Sequence, residues 1–197
     1  MRVIAATKNK GKIREIAEIL GGLGIEVVSQ SEAGIDVEVF ETGTTFIENA
    51  RIKAQAVALL CDDAVLADDS GLCVEALGGA PGIYSARYAG EGAPESAKID
   101  KLLGEMKDET NRAARFETAV VFIYPDGREI VATGEVQGRI TMMPLGGGGF
   151  GYDPIFYSTE LKKTFGEATD EEKNRVSHRA KALSALYEKL KAELPQQ

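Results

Sequence analysis

Tryptophan is absent from the 197 residues, histidine occurs once, at His178, and cysteine twice, at Cys61 and Cys73. One histidine and two cysteines without a CxxC spacing leave no His/Cys zinc site. The cysteines read as small buried residues of a reducing compartment, not as a disulfide framework. Aromatic residues make up 7% of the chain, too few for a broad base-stacking platform. Positive charge is also in deficit. Against 31 Asp and Glu there are 23 Lys and Arg, a net charge of −8, whereas duplex-binding proteins carry a basic surplus. The longest clean apolar run, Ala119 to Tyr124, falls far short of a membrane span. Met1 to Ala6 is too short, and too soon followed by Lys8, to be a signal peptide. These absences point to a cytoplasmic protein that engages neither membrane nor nucleic acid.

What remains is ordinary for a globular chain: 44% hydrophobic and 27% charged residues. The length suits one domain over residues 1–197, or at most two small lobes, with a core that needs no disulfide or metal staple. Val3 to Ala6 reads as a buried strand. A polar turn, Thr7 to Lys12, follows, and then Ile13, Ile16, Ala17 and Leu20 at helical spacing, stopped by Gly21-Gly22. Ile25 to Val28 is a second strand. Thr45 and Glu48 form a capping-box pattern ahead of a helix to about Leu60. Ala64 to Ala67 is a buried strand expected to end abruptly at Asp68-Asp69-Ser70-Gly71. Gly78 to Gly82 is a loop, and Pro94 starts a helix carrying Ala97, Leu102, Leu103 and Met106. Arg115 to Tyr124 and Arg128 to Gln137 flank a Pro125-Asp126-Gly127 turn. Ser177 is the expected N-cap of a last helix bearing Leu183, Leu186, Tyr187, Leu190 and Leu194, after which Pro195 to Gln197 should fray. Alternating α and β segments with a central hairpin give an α/β fold, a mixed sheet with helices packed on it.

Five groups of residues carry possible chemistry. The turn Thr7-Lys8-Asn9-Lys10-Gly11-Lys12 feeds a helix N-terminus, where backbone N–H groups bind phosphate and Lys12 adds charge. It lacks the second glycine and the Lys-Ser/Thr pair of a Walker A loop, and a solvated loop is the plain alternative. Adjacent carboxylates Asp68 and Asp69 after a buried strand each need water, a donor or a metal. Oxygen-only ligation suits Mg²⁺; the alternative is a turn in which the Asp side chains bond their own backbone. Glu41 is a further possible ligand, and Lys53 falls on the helix after it. The Phe150-Gly151-Tyr152-Asp153 stretch follows a glycine run, Gly146 to Gly149, that lets backbone approach a ligand and presents an aromatic face. Lys173 precedes Ser177-His178-Arg179, where His beside Arg at a helix N-terminus, a place the dipole disfavours for cations, suggests a ligand; a capping or packing histidine is the plain alternative.

In order along nearly the whole chain, these stretches resemble the inosine triphosphate pyrophosphatase family, also called Ham1-like. The strings are Thr7 to Lys12, Glu41-Thr42-Gly43 with Phe46 to Ala50, Ala67 to Leu72, Leu77 to Arg87, Gly148 to Phe156, Glu172-Lys173-Asn174 and Ser177-His178-Arg179. The family commonly has Gly-Thr-Gly-Gly ahead of the Phe-Gly-Tyr-Asp string; Gly147 replaces the threonine here.

The resemblance implies a homodimer of two-lobed α/β subunits, each with a long mixed sheet flanked by helices and a central cleft. It implies Mg²⁺-dependent hydrolysis of ITP, dITP and XTP to the monophosphate and pyrophosphate. Carried over by position, Thr7, Lys8, Asn9, Lys10, Gly11, Lys12 and Lys53 would hold the triphosphate. Asp69 would be the general base, and Glu41, Asp68 and Asp69 would bind Mg²⁺. Ser70, Phe150, Gly151, Tyr152, Asp153, Lys173, His178 and Arg179 would form the base and sugar pocket. The rival class is a purine-nucleotide sensor that binds without hydrolysis, needing the phosphate loop but not the carboxylates.

Overall fold

The computed structural model describes residues 1–193; Leu194 and the expected fraying of Pro195 to Gln197 lie outside them. A mixed seven-stranded sheet has the order β2-β1-β3-β4-β5-β6-β7. Its strands are β1 (Arg2–Ala5), β2 (Glu26–Ser29), β3 (Ala64–Val74), β4 (Ala113–Ile123), β5 (Glu129–Ile140), β6 (Phe156–Ser158) and β7 (Lys163–Thr164). The helices flanking it are α1 (Lys10–Leu20), α2 (Phe46–Ala58), α3 (Glu95–Glu105), α4 (Asp170–Val176) and α5 (His178–Glu193). β1 pairs in parallel with β2 and β3, while β6 is antiparallel to β5 and β7.

The described chain divides into two compact units. The first comprises Met1–Asp69, Thr118–Gly134 and the chain from Arg179 on; the second comprises Ser70–Glu117 and Glu135–His178.

The first unit is a sheet covered on both faces, and strand alternation assigns its residues. Val3, Ala5, Ala64, Leu66, Val120 and Phe122 pack with Ile16 and Leu20 of α1 and Leu183 and Leu186 of α5. The intervening Ile4, Val65, Ala67, Val121 and Ile123 pack with Ala50, Ala54 and Val57 of α2. A side-chain period of two therefore sends odd and even strand residues to different helices. The Thr45–Glu48 capping box forms as expected and starts α2 at Phe46. Gly43 is required nearby: a Cβ there would meet the Glu48 Cβ at 2.6 Å and Asn49 Oδ1 at 2.7 Å, and its N–H donates to that same Oδ1 at 2.8 Å.

The second unit has its own core, in which Leu72, Leu102, Met106, Val136, Ile155, Phe156 and Phe165 are buried. Thr169 and Glu172 form a second capping box at the start of α4, a helix not anticipated above. Ser177, in extended backbone conformation, closes α4 and directly precedes α5.

One expectation is overturned. The third strand does not stop before Asp68; β3 runs through Asp68-Asp69-Ser70-Gly71 to Val74. Neither Asp closes a turn of its own. A buried strand tolerates them because cations from α1, α2 and α5 meet both side chains, as described next.

Candidate functional site

In the first unit, Ala5 of β1 pairs with Leu66 of β3. β1 ends there, so Asp68 and Asp69 lie just past its carboxyl end, where the sheet has lost a parallel neighbour. Such an edge is where open α/β sheets place ligands. The alternation of β3 then decides what each carboxylate meets. Asp68 continues the Leu66 face, toward α1 and α5. Its Oδ2 is 2.9 Å from Lys12 Nζ and accepts from Arg179 Nε at 3.2 Å. Arg179 also donates through its terminal nitrogen to Glu15 Oε2 at 2.9 Å. Asp69 continues the Ala67 face, toward α2. Its Oδ1 accepts from Lys53 Nζ at 3.2 Å, and the same ammonium donates to Glu41 Oε1 at 2.6 Å.

These neighbours set the two Asp residues apart electrostatically. Burial works against ionisation of Asp68, but the Lys12 and Arg179 charges outweigh it and hold its carboxyl well below the ordinary range. Burial of Asp69 wins over the attraction of Lys53, and Glu41 adds repulsion, so its carboxyl lies above the ordinary value. Burial would depress Lys53, yet Asp69, Asp68 and Glu41 reverse that and raise it.

The turn before α1 is less open to anions than its sequence suggests. Asn9 is the N-cap, and its Oδ1 accepts from the Gly11 and Lys12 N–H groups at 2.9 and 3.2 Å. Thr7 Oγ1 accepts from Asn9 N–H at 3.2 Å. Lys8 is exposed and paired with Asp36 at 3.0 Å; Lys10 is exposed on the first turn of α1.

Among the described residues, Asp68 Oδ1 and Asp69 Oδ2 are buried oxygens without a hydrogen-bond partner. Unpartnered hard anionic oxygens fit a divalent cation such as Mg²⁺, which takes one or two carboxylates and completes its shell with water and phosphate. No group of three His, Cys, Asp or Glu side chains suited to a metal occurs among the described residues.

The second unit holds the remaining candidates. Phe150 N–H donates to Asp153 Oδ2 at 2.8 Å, and Lys173 Nζ donates to the same oxygen at 2.6 Å. The Lys173 ammonium also lies 4.3 Å over the Phe150 ring. Phe150 is 42% exposed while Tyr152 and Asp153 are buried, so the aromatic face offered by this string is that of Phe150 alone. Tyr152 instead donates its hydroxyl to the Ser85 carbonyl at 3.0 Å. Gly149, at φ +74°, is required: a Cβ there would sit 2.1 Å from Asp153 Oδ2. His178 is buried and stacks on Phe116 with centroids 4.8 Å apart. Ser70 lies half-buried on β3, directly after Asp69.

The residues expected from sequence thus fall into two groups. Glu41, Lys53 and Asp69, with Lys12, Asp68 and Arg179, assemble in the first unit; Phe150, Asp153, Lys173 and His178 are placed in the second. Arg179 stands among the carboxylates, two of its nitrogens committed to Asp68 and Glu15. Sequence reasoning missed Glu15 and Phe116. Glu15 lies three residues after Lys12, a helical spacing that carries no signal without knowing what α1 faces. Phe116 was only one apolar position in a strand.

The Ham1 family model matches residues 3–189. A dITP/XTP pyrophosphatase of Pectobacterium atrosepticum is 49% identical over 96% of this chain and 98% of its own length. One from Escherichia coli K12 is 47% identical over the same shares. The solved Ham1 protein of Staphylococcus aureus superposes with a TM-score of 0.91 at 42% identity, covering 98% of this chain and all of that one.

Proposed function

The chain belongs to the Ham1 family, and from that premise we propose that residues 1–197 act as one catalytic domain. It is a nucleoside-triphosphate pyrophosphatase and hydrolyses non-standard purine nucleoside triphosphates (ITP, dITP and XTP) to the monophosphate and pyrophosphate. The observation that carries the assignment of roles is the pairing of Lys53 with both Glu41 and Asp69, beside the Lys12–Asp68–Arg179 cluster.

Water attacks the α-phosphorus in line and pyrophosphate leaves. A triphosphate repels an anionic or lone-pair nucleophile, so its charge must first be offset. Lys12 and Lys53 supply that charge, with Lys8 and Lys10 at the turn. The Asn9 amide NH₂ and the Thr7 hydroxyl add donors beside Gly11. Asp69 orients the attacking water and accepts its proton. Its raised pKa suits a base better than the strongly acidic Asp68 does. Asp68 stays ionised and keeps Lys12 in place. Asp68 and Asp69, through their two unpartnered buried oxygens, are the residues that would hold Mg²⁺, and Glu41 would add its charge beside them. When bound, the ion polarises phosphoryl oxygens and offsets charge on the departing pyrophosphate.

The base is recognised by Phe150 and His178. Phe150 stacks on the purine, backed by Lys173 and Asp153. Hypoxanthine and xanthine carry a 6-oxo acceptor where adenine has an amino donor, so an N–H from His178 favours them. A site built around such a hydrogen bond leaves adenine's amino group facing a donor. Arg179 is bonded to Asp68 and is proposed to recognise the base together with His178, and Ser70 adds a hydroxyl for the sugar. The protein works as a homodimer in the cytoplasm, without nucleic acid. Among the described residues, no helix is long and apolar enough to cross a membrane.

A panel of ITP, dITP, XTP, GTP and ATP, with Mg²⁺ and with EDTA, tests this by chromatography of both products. The expected result is monophosphate plus pyrophosphate from the 6-oxo non-standard nucleotides, abolished by EDTA. Orthophosphate as product, or tight ITP binding without turnover, would replace the reading with a γ-phosphatase or a sensor.

A further inference from the structure

We propose that Phe116 is a positioning residue for base selection: its ring fixes the plane of the His178 imidazole, and with it the direction in which that imidazole donates. The proposal rests on the base-binding role given to His178 above.

Phe116 and His178 are 7% and 5% exposed. Their rings lie with centroids 4.8 Å apart and planes 12° apart, an offset stack. On β4, Phe116 alternates with outward residues and points into the core of the second unit. Phe165 lies parallel to it, at 6.1 Å and 7°, and Phe156 braces it obliquely at 4.6 Å and 59°. The Lys173 ammonium lies 5.6 Å from the Phe165 ring centroid, and the same ammonium backs Phe150. The histidine and the exposed phenylalanine are therefore linked through Phe116, Phe165 and Lys173.

An imidazole turns easily about its outer torsion, because that rotation has broad minima. A flat ring packed against its face removes this freedom. A hydrogen bond weakens steeply as its angle closes, so fixing the plane decides how well a 6-oxo group is told from a 6-amino group. None of the residues proposed to hold the triphosphate belongs to this cluster. Loss of the Phe116 ring should therefore act on base preference, with pyrophosphate chemistry spared.

His178 is the chain's single histidine, so its imidazole proton resonances have one origin. In the wild-type protein they should be displaced upfield of their unfolded positions by the Phe116 ring current, and Phe116→Leu should return them. The same variant should lower the ITP-over-ATP ratio of kcat/KM about tenfold, and Phe116→Tyr, which keeps the ring, should restore both. Phe156→Leu removes a ring from the same cluster and leaves Phe116 in place; its ratio should stay within about twofold of wild type. Equal losses of preference in Phe116→Leu and Phe156→Leu would reduce Phe116 to packing and overturn the proposal. So would wild-type imidazole resonances at their unfolded positions, a readout that stands even if Phe116→Leu does not fold. If His178→Gln collapses the ratio while Phe116→Leu leaves it unchanged, the positioning role fails and the base-binding role survives. An unchanged ratio in His178→Gln removes the base-binding role, and the proposal with it.

Discussion

Lys53 donates to Asp69 at 3.2 Å with the same ammonium that donates to Glu41 at 2.6 Å. One cation thus holds two carboxylates that would otherwise repel, and one of them is the proposed base. Asp69→Asn keeps the size of the side chain but cannot take a proton. ITP turnover should fall by about 10²–10⁴-fold, with an unchanged circular dichroism spectrum. Turnover near the wild-type rate would remove Asp69 from that role.

Arg179 should matter for stability as much as for substrate. Its partner Asp68 has a side chain only 1% exposed, and removing one member of a buried ion pair leaves a stranded charge. Lys12 still reaches Asp68, which limits the damage. Arg179→Ala should cost about 2–4 kcal/mol by denaturant unfolding. A change below about 0.5 kcal/mol would show the pair to be energetically idle.

Gly147 and Gly149, three and one positions before Phe150, make opposite predictions. At Gly147 a Cβ would meet nothing within 4 Å and φ is not positive, so Gly147→Thr should fit. It should raise stability by about 0.4–1 kcal/mol by restricting the unfolded chain. Gly149→Ala, by contrast, puts a Cβ against Asp153 Oδ2 at φ +74° and should lower both the melting temperature and the affinity for ITP. Equal melting temperatures for the two variants would contradict this.

Much of the first unit was legible because its signals are local. Capping at Thr45 and the unbroken apolar run Ala64 to Ala67 of β3 follow from neighbours in sequence. The path of β3 through Asp68 and Asp69 was not legible, since it depends on cations contributed by Lys12, Lys53 and Arg179, residues 16 to 111 positions away from their partners. The capping box at Thr169 and Glu172 was present in the sequence and would have revealed α4. Phe116 offered no such signal, because a buried strand position looks the same whether it fills space or supports a functional ring. Asn9 shows the reverse case: its residue type suits both phosphate binding and helix capping, and only the structure assigns its oxygen to the cap.

Thiol chemistry checks the packing of the second unit. Burial, reinforced by Glu117, pushes the Cys73 thiol up to about 11. Its thiolate fraction at pH 8 is then on the order of 10⁻³, against roughly a quarter for an unfolded cysteine near 8.5. Because the folded value is the higher one, Cys73 favours the fold fully below about pH 8.5 and loses that contribution as pH rises toward 11. Native protein should therefore show at most slow labelling of the half-buried Cys61, with both thiols reacting in guanidinium. Rapid labelling of Cys73 at pH 8 would contradict its burial.

The most direct test of the account is the fate of the attacking oxygen. When ITP is hydrolysed in water labelled with heavy oxygen, the label should enter the inosine monophosphate, as attack at the α-phosphorus requires, and pyrophosphate should remain unlabelled. Label in the pyrophosphate would place the attack on the β-phosphorus and contradict the mechanism.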